Sequence, residues 1–69
     1  MKYEYRRIRD LREDHDFKQE YVAHYLGIKQ QQYQRYESGV IEIPLHIAID
    51  LAILYDVSLD YLVGMDKNK

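Results

Sequence analysis

Sixty-nine residues with 46% apolar content predict one small domain, marginal alone and inclined to self-associate, with no separate sensing or catalytic domain. The absence of cysteine excludes a disulfide scaffold and a thiolate metal site and fits a reducing cytoplasm; no apolar run is long enough to cross a membrane. A net charge of −2 argues against a strongly basic surface, yet the charge is uneven: residues 1–39 hold eight Lys/Arg against seven Asp/Glu, residues 40–69 two against five.

The start, Met1-Lys2-Tyr3-Glu4, leads into charged residues and not into a signal-peptide core. There is no repeat, low-complexity tract or linker. Glycines 27, 39 and 64 fall where helices should end, and only residues 40–43 alternate briefly with period two. The expected fold is all-α, a compact five-helix domain over residues 1–66 with 67–69 as a polar tail.

The first helix is expected over residues 3–14. Tyr5, Ile8 and Leu11, with Arg12 beside them, share one face at three- and four-residue spacing. Arg6, Arg7 and Arg9 interleave with Glu4, Asp10, Glu13 and Asp14, which reads as a solvated face with helix-surface pairing and not as a DNA site. Asp16 marks the chain reversal, because Asp tolerates the left-handed conformation of a helix exit.

The second helix is expected over residues 18–26, with Phe17, Val22, Ala23 and Leu26 buried and Ala23 small enough for another helix to cross closely. Lys18 falls at the N-cap, where it accepts no hydrogen bond and its charge opposes the helix dipole. That local cost makes it a candidate phosphate contact, and a tolerated surface lysine is the equal alternative. Gln19, in the first turn, is a second candidate, through its side chain and the backbone N–H groups there. Tyr21 and Tyr25 form an exposed pair that either covers the first helix or meets a partner.

Gly27 should end this helix with positive φ; Ile28 then plugs the core and the third helix runs over about 29–38. Gln30, Gln31, Gln34, Arg35 and Ser38 share one face, Tyr33 and Tyr36 the opposite one, with Gln32 at its edge. The glutamine face has nothing to bury against. Gln presents a donor and an acceptor in one plane, matching adenine N6 and N7; Arg presents two donors matching guanine O6 and N7. An isolated glutamine run is more often a plain outer face, since glutamine is a good helix former. Following Ala-x₃-Gly in the second helix of a helix-turn-helix, it points to base reading in the major groove.

The fourth helix is expected over residues 44–55 with Pro44 in its first turn. Leu45, Ala48, Leu51, Ala52 and Tyr55 form its expected core stripe, leaving Ile47, Ile49 and Ile53 as surplus apolar residues. Either they belong to a generous core, or Ile49 and Ile53 meet a second copy of the chain. The fifth helix takes Ser58 as N-cap, Asp60 in its first turn and Gly64 as its stop, with Leu59, Leu62 and Val63 apolar.

Residues 8–64 resemble the XRE (Cro/phage-repressor type) helix-turn-helix family. The matching text is I-R-D-L-R-E (8–13), F-K-Q-E-Y-V-A-H-Y-L-G-I (17–28), Q-R-Y-E-S-G (34–39), I-P-L (43–45) and D-V-S-L-D-Y-L-V-G (56–64). The resemblance implies a lambda-repressor-like DNA-binding fold in which residues matching Gln30, Gln31 and Arg35 reach base edges. Those matching Gln19 and Ser38 hold the phosphate backbone. It also implies that Arg12 pairs with Glu37 as a partly buried ion pair orienting the third helix. Gln34 is expected to flank the base readers, with Lys18, Lys29 and Gln32 as further phosphate contacts. Family members bind two-fold operators as dimers, which favours a dimer contact at Ile49 and Ile53. The chain departs from its relatives after Gly39. Many of them carry Lys or Arg there; Val40, Ile41, Glu42 and Ile43 offer no cation, and Glu42 would repel phosphate.

His15, His24 and His46 lie in different elements without a second ligand at helical spacing, so no metal site is expected. No catalytic or cofactor motif is present. Tyrosines 33, 36 and 55 fall at core positions, which disfavours single-strand stacking. The leading expectation is a sequence-specific, homodimeric double-stranded DNA-binding regulator, a repressor, without enzyme activity, cofactor, small-molecule ligand or membrane partner. The alternative is the same fold used as a protein-interaction module with weak or no DNA binding, distinguished by the absence of salt-dependent duplex binding.

Overall fold

Residues with left-handed backbone punctuate the chain: Asp16, Gly27, Gly39, Asp56 and Gly64 have φ of 58°, 74°, 79°, 55° and 77°. The computed structural model describes residues 5–64. Between those breaks lie α1 (Arg6–Asp14), α2 (Gln19–Leu26), α3 (Gln30–Ser38), α4 (Leu45–Tyr55) and α5 (Leu59–Val63). The all-α, five-helix architecture read from the sequence is the one observed. The expected start of the first helix at residues 3 and 4, and the polar tail, lie outside the described residues. Tyr5 is not helical but caps α1.

The α2–α3 corner is closed by two backbone bonds, Ile28 N–H to the Ala23 carbonyl at 3.0 Å and Gly27 N–H to the His24 carbonyl at 3.1 Å. This pairing satisfies carbonyls that the end of α2 would otherwise leave open. A Cβ at Gly27 would meet nothing within 4 Å, so the demand for glycine is purely one of backbone conformation. Ser58 caps α5 by accepting from the Tyr61 N–H at 3.1 Å.

All five helices supply the core: Ile8 from α1, Val22 and Ala23 from α2, Tyr33 and Tyr36 from α3, Ile47, Ala48, Leu51 and Tyr55 from α4, Leu62 from α5. Ile43 joins from the loop before α4, and its N–H donates to the Tyr5 hydroxyl at 3.2 Å, fastening that loop to the start of α1. One core expectation for α4 is overturned, since Leu45 is 65% exposed, and Ile47, left open as surplus, belongs to the core at 2%. Pro44 is the N-cap, with extended ψ of 152°, and not a first-turn residue.

Two surface expectations also change. Arg7 is half-buried, its guanidinium 4.2 Å above the Tyr61 ring and donating to the Tyr61 carbonyl at 2.9 Å, so it ties α1 to α5. Tyr21 and Tyr25 are both exposed, but the Tyr21 ring packs tilted against Phe17, centroids 4.6 Å apart, and Tyr25 reaches α4, donating to the Asp50 carbonyl at 3.4 Å. Among the described residues no helix is long and apolar enough to cross a membrane.

Candidate nucleic-acid interface

The short helix α3 carries two unlike faces because its sequence alternates bulky aromatic and amide residues at helical spacing. Tyr33 and Tyr36 point inward and are buried; Gln30, Gln31, Gln34 and Arg35 point outward and are exposed. None of those four side chains bonds another described residue. They therefore keep their donors and acceptors available to a ligand.

The orientation of α3 is fixed by one carboxylate. Glu37 accepts from Arg12 Nε at 2.6 Å and Nη2 at 3.2 Å, a two-pronged pair between α1 and α3. The Tyr33 hydroxyl donates to Glu37 at 2.6 Å, and Gln19 Nε2 donates at 3.1 Å from the start of α2. Arg12 also donates to the Phe17 carbonyl at 2.9 Å, so the same guanidinium braces the α1–α2 turn. The side chains of Arg12 and Glu37 retain only 13% and 6% exposure.

These contacts set the charges. Burial alone would raise the Glu37 carboxyl, but hydrogen bonds from Arg12, Tyr33 and Gln19 outweigh it and hold the group below its usual value. The hydrogen bond to Glu37 raises Arg12 above its ordinary value. Burial first, and then the bond to Glu37, pushes the Tyr33 phenol far up. Both shifts favour the charged forms, Arg12 as the cation and Glu37 as the anion.

The remaining candidate residues sit around the outward face. Lys18 and Lys29 are the N-caps of α2 and α3, neither making a cap hydrogen bond with its side chain. Each is followed by glutamine, so both helices open with a cation beside free backbone N–H groups. Ser38 donates to the Arg35 carbonyl at 3.2 Å and Gln32 donates to the Tyr36 hydroxyl at 3.1 Å. Gln19, half-buried, has its amide N–H turned inward to Glu37. A cleft of about 290 Å³ on one flank of α3 is lined by Arg9, Arg12, Gln19, Gln34, Glu37 and Ser38. Another, of about 340 Å³ on the other flank, is lined by Ile28, Lys29, Gln31, Gln32 and Arg35. Ile49 and Ile53 lie on α4, exposed and outside both clefts.

Sequence reasoning did not foresee that Tyr33 and Gln19 converge on Glu37. The i, i+4 spacing of Tyr33 and Glu37 was a signal for the first; nothing local signals the second. Among the described residues no group of His, Asp or Glu could hold a metal ion.

A family model described as helix-turn-helix matches residues 8–62. The chain is 41% identical over 59 residues to the uncharacterized HTH-type transcriptional regulator YobD of Bacillus subtilis, covering 86% of this chain and 53% of that protein. It is 36% identical over 63 residues to the HTH-type transcriptional regulator AnsR of the same organism, covering 91% of this chain and 54% of that protein. It thus spans about half the length of these relatives. The crystal structure of a transcriptional regulator from Listeria innocua matches all of this chain and 65% of its own, with a TM-score of 0.85 at 23% identity. That last likeness establishes a common fold.

Proposed function

Since the chain belongs to the helix-turn-helix family whose model matches residues 8–62, we propose that it is a sequence-specific double-stranded DNA-binding regulator of transcription, acting as a repressor in the cytoplasm. Its residues 1–66 act as one DNA-binding domain, and it catalyses no reaction. The observation that carries this reading is the outward row Gln30, Gln31, Gln34 and Arg35, exposed and unengaged on a helix locked from behind through Glu37.

Helix α3 enters the major groove and these four side chains read base edges, the amides suited to adenine and the guanidinium to guanine. Phosphates flank them. Lys18 with the first N–H groups of α2, and Lys29 with those of α3, take the backbone on either side. Gln32 and Ser38 assist from the rims of the two clefts, and Gln19 contributes chiefly through its backbone N–H, because its amide donor is held by Glu37. The Arg12–Glu37 pair serves structure: it sets the angle at which α3 is presented. Glu42, in the loop after α3, adds repulsion, so affinity depends more on base contacts and on pairing of two copies. The protein binds a two-fold operator as a homodimer, through Ile49 and Ile53.

Selection of bound sequences from a random duplex pool tests the reading. The expected result is an enriched two-fold site with half-sites about 34–36 Å apart centre to centre, or a multiple of that spacing. No enrichment, together with no duplex binding at low salt, would overturn it in favour of a protein-interaction module.

A further inference from the structure

The two clefts that flank α3 draw their positive charge from different places. On one flank it comes from Lys29 and Arg35, the cap and body of α3, and no carboxylate is among the described residues lining that cleft. On the other flank α3 supplies Gln34, Glu37 and Ser38, and the cations are Arg9 and Arg12 of α1. Arg12 is already committed: its side chain is 13% exposed, and its guanidinium serves Glu37 and the Phe17 carbonyl. Glu37 offsets its charge. The excess positive charge among the described residues lining this cleft is therefore that of Arg9.

Arg9 is loosely held. Its Nε donates to Glu13 at 3.1 Å, one turn further along α1, and the two side chains stay 63% and 52% exposed. An exposed pair of this kind adds little in water. The same Glu13 oxygen lies 4.0 Å from Arg12 Nη2, so one carboxylate is shared between two guanidiniums. A phosphate brought to the cleft can take the place of that carboxylate at Arg9 at small cost, because its two free oxygens match the guanidinium fork. A helix lying in the major groove has a row of phosphates on each side of it. Lys29 lines the cleft facing one row, whereas Lys18, the cap of α2, lines neither cleft.

We infer that Arg9 is a DNA-backbone contact: on docking, its guanidinium exchanges the Glu13 carboxylate for a phosphate at the cleft beside Gln34 and Ser38. The inference adds a residue to those assigned above and rests on α3 entering the major groove. From the sequence alone the arginines of α1 read as one solvated, ion-paired face. In the fold they part company. Arg6 lines neither cleft, Arg7 is tied to Tyr61, and Arg9 alone of the three borders the flank of α3. Its pairing with Glu13 does not argue against the contact. The carboxylate is a placeholder that neutralises Arg9 off DNA and gives way to the stronger bidentate partner on it.

Duplex binding by the full 69-residue chain, followed across salt concentrations, tests this. Arg9→Ala should reduce the slope of log affinity against log salt by about 0.9 and weaken selected and random duplexes alike, with unchanged helix content. Arg9→Lys should keep the wild-type slope, and so should Arg6→Ala, which removes an exposed arginine away from both clefts. Glu13→Gln should tighten both duplexes about two- to fivefold, and in the Arg9→Ala background that gain should largely disappear. An Arg9→Ala slope equal to that of wild type would overturn the contact while leaving α3 as the reading helix. An equal loss of slope in Arg6→Ala would reduce Arg9 to general surface charge and overturn it as well. A gain from Glu13→Gln that persists without Arg9 would overturn the exchange of carboxylate for phosphate. A wild type that binds no duplex at low salt would overturn this inference together with the DNA-binding reading.

Discussion

Tyr33 and Glu37 lie one turn apart on the same helix, and the phenol hydroxyl donates to the carboxylate at 2.6 Å. That single bond joins the buried face of α3 to the ion pair with Arg12, so core packing and helix orientation are not separate matters. A residue that reads as plain core filler is also a polar support. The domain uses its burial to shelter a charge and uses the charge to aim a helix.

Breaking this cluster from one side should be far worse than removing it. Glu37→Leu leaves the Arg12 guanidinium with the Phe17 carbonyl as its main partner and should cost about 3–5 kcal/mol. Arg12→Leu, Tyr33→Phe and Glu37→Leu combined leave no buried charge, only the half-buried Gln19 amide and the Phe17 carbonyl without these partners, and should recover more than half of that loss. Urea unfolding midpoints followed by circular dichroism compare the two. A triple variant weaker than the single one would contradict the sheltered-charge account.

Acid should expose the same group. Glu37 is held below its ordinary value of 4.5, so the unfolded chain binds the proton first. Its stabilisation is complete above about pH 4.5, shrinks as pH falls below that, and is lost once pH passes the lower folded value. Glu37→Gln should be less stable than wild type at neutral pH and should lose less on acidification. Thermal midpoints measured between pH 3 and pH 7 would show two parallel curves if the prediction fails.

Tyr55 offers a change in the opposite direction. Its hydroxyl is buried without a hydrogen-bond partner among the described residues, and burial pushes the phenol up to about 12. Tyr55→Phe removes a desolvated polar atom and keeps the ring beside His15 and Phe17, 5.1 Å and 6.2 Å away. The variant should be as stable as wild type or more stable by up to about 1 kcal/mol. A loss of more than that in denaturant titration would mean that the hydroxyl has a partner, such as a buried water.

The outward face of α3 should discriminate between sequences. Gln30→Ala or Arg35→Ala should cost about 1–3 kcal/mol on the selected site and much less on random duplex. Lys29→Ala should weaken both alike and lower the salt dependence by about one phosphate. Equal losses on both duplexes for Gln30→Ala and Arg35→Ala would remove them from base reading.

How far the sequence could be read differs between α3 and α4. In α3 the tyrosines and amides differ so sharply that only one rotation of the helix buries the right side, and the assignment of Tyr33 and Tyr36 to the core held. Helix α4 is apolar nearly all round, with only His46 and Asp50 polar, so periodicity does not choose its rotation. Leu45 therefore reads as core although it is exposed, and the pattern leaves the burial of Ile47 open. Arg7 stands for another class of feature: its ring partner Tyr61 is 54 residues away, and no local pattern announces such a contact.

The division of α3 into a locked side and an open side has a bearing on how such a protein diversifies. Positions 33, 36 and 37 are tied to the rest of the domain, whereas 30, 31, 34 and 35 owe the fold nothing that the structure reveals. The four outward residues can therefore be rewritten as a cassette, with the hinge of tyrosines and glutamate left untouched. A lineage could wander through many target preferences on that helix without once passing through an unfolded ancestor.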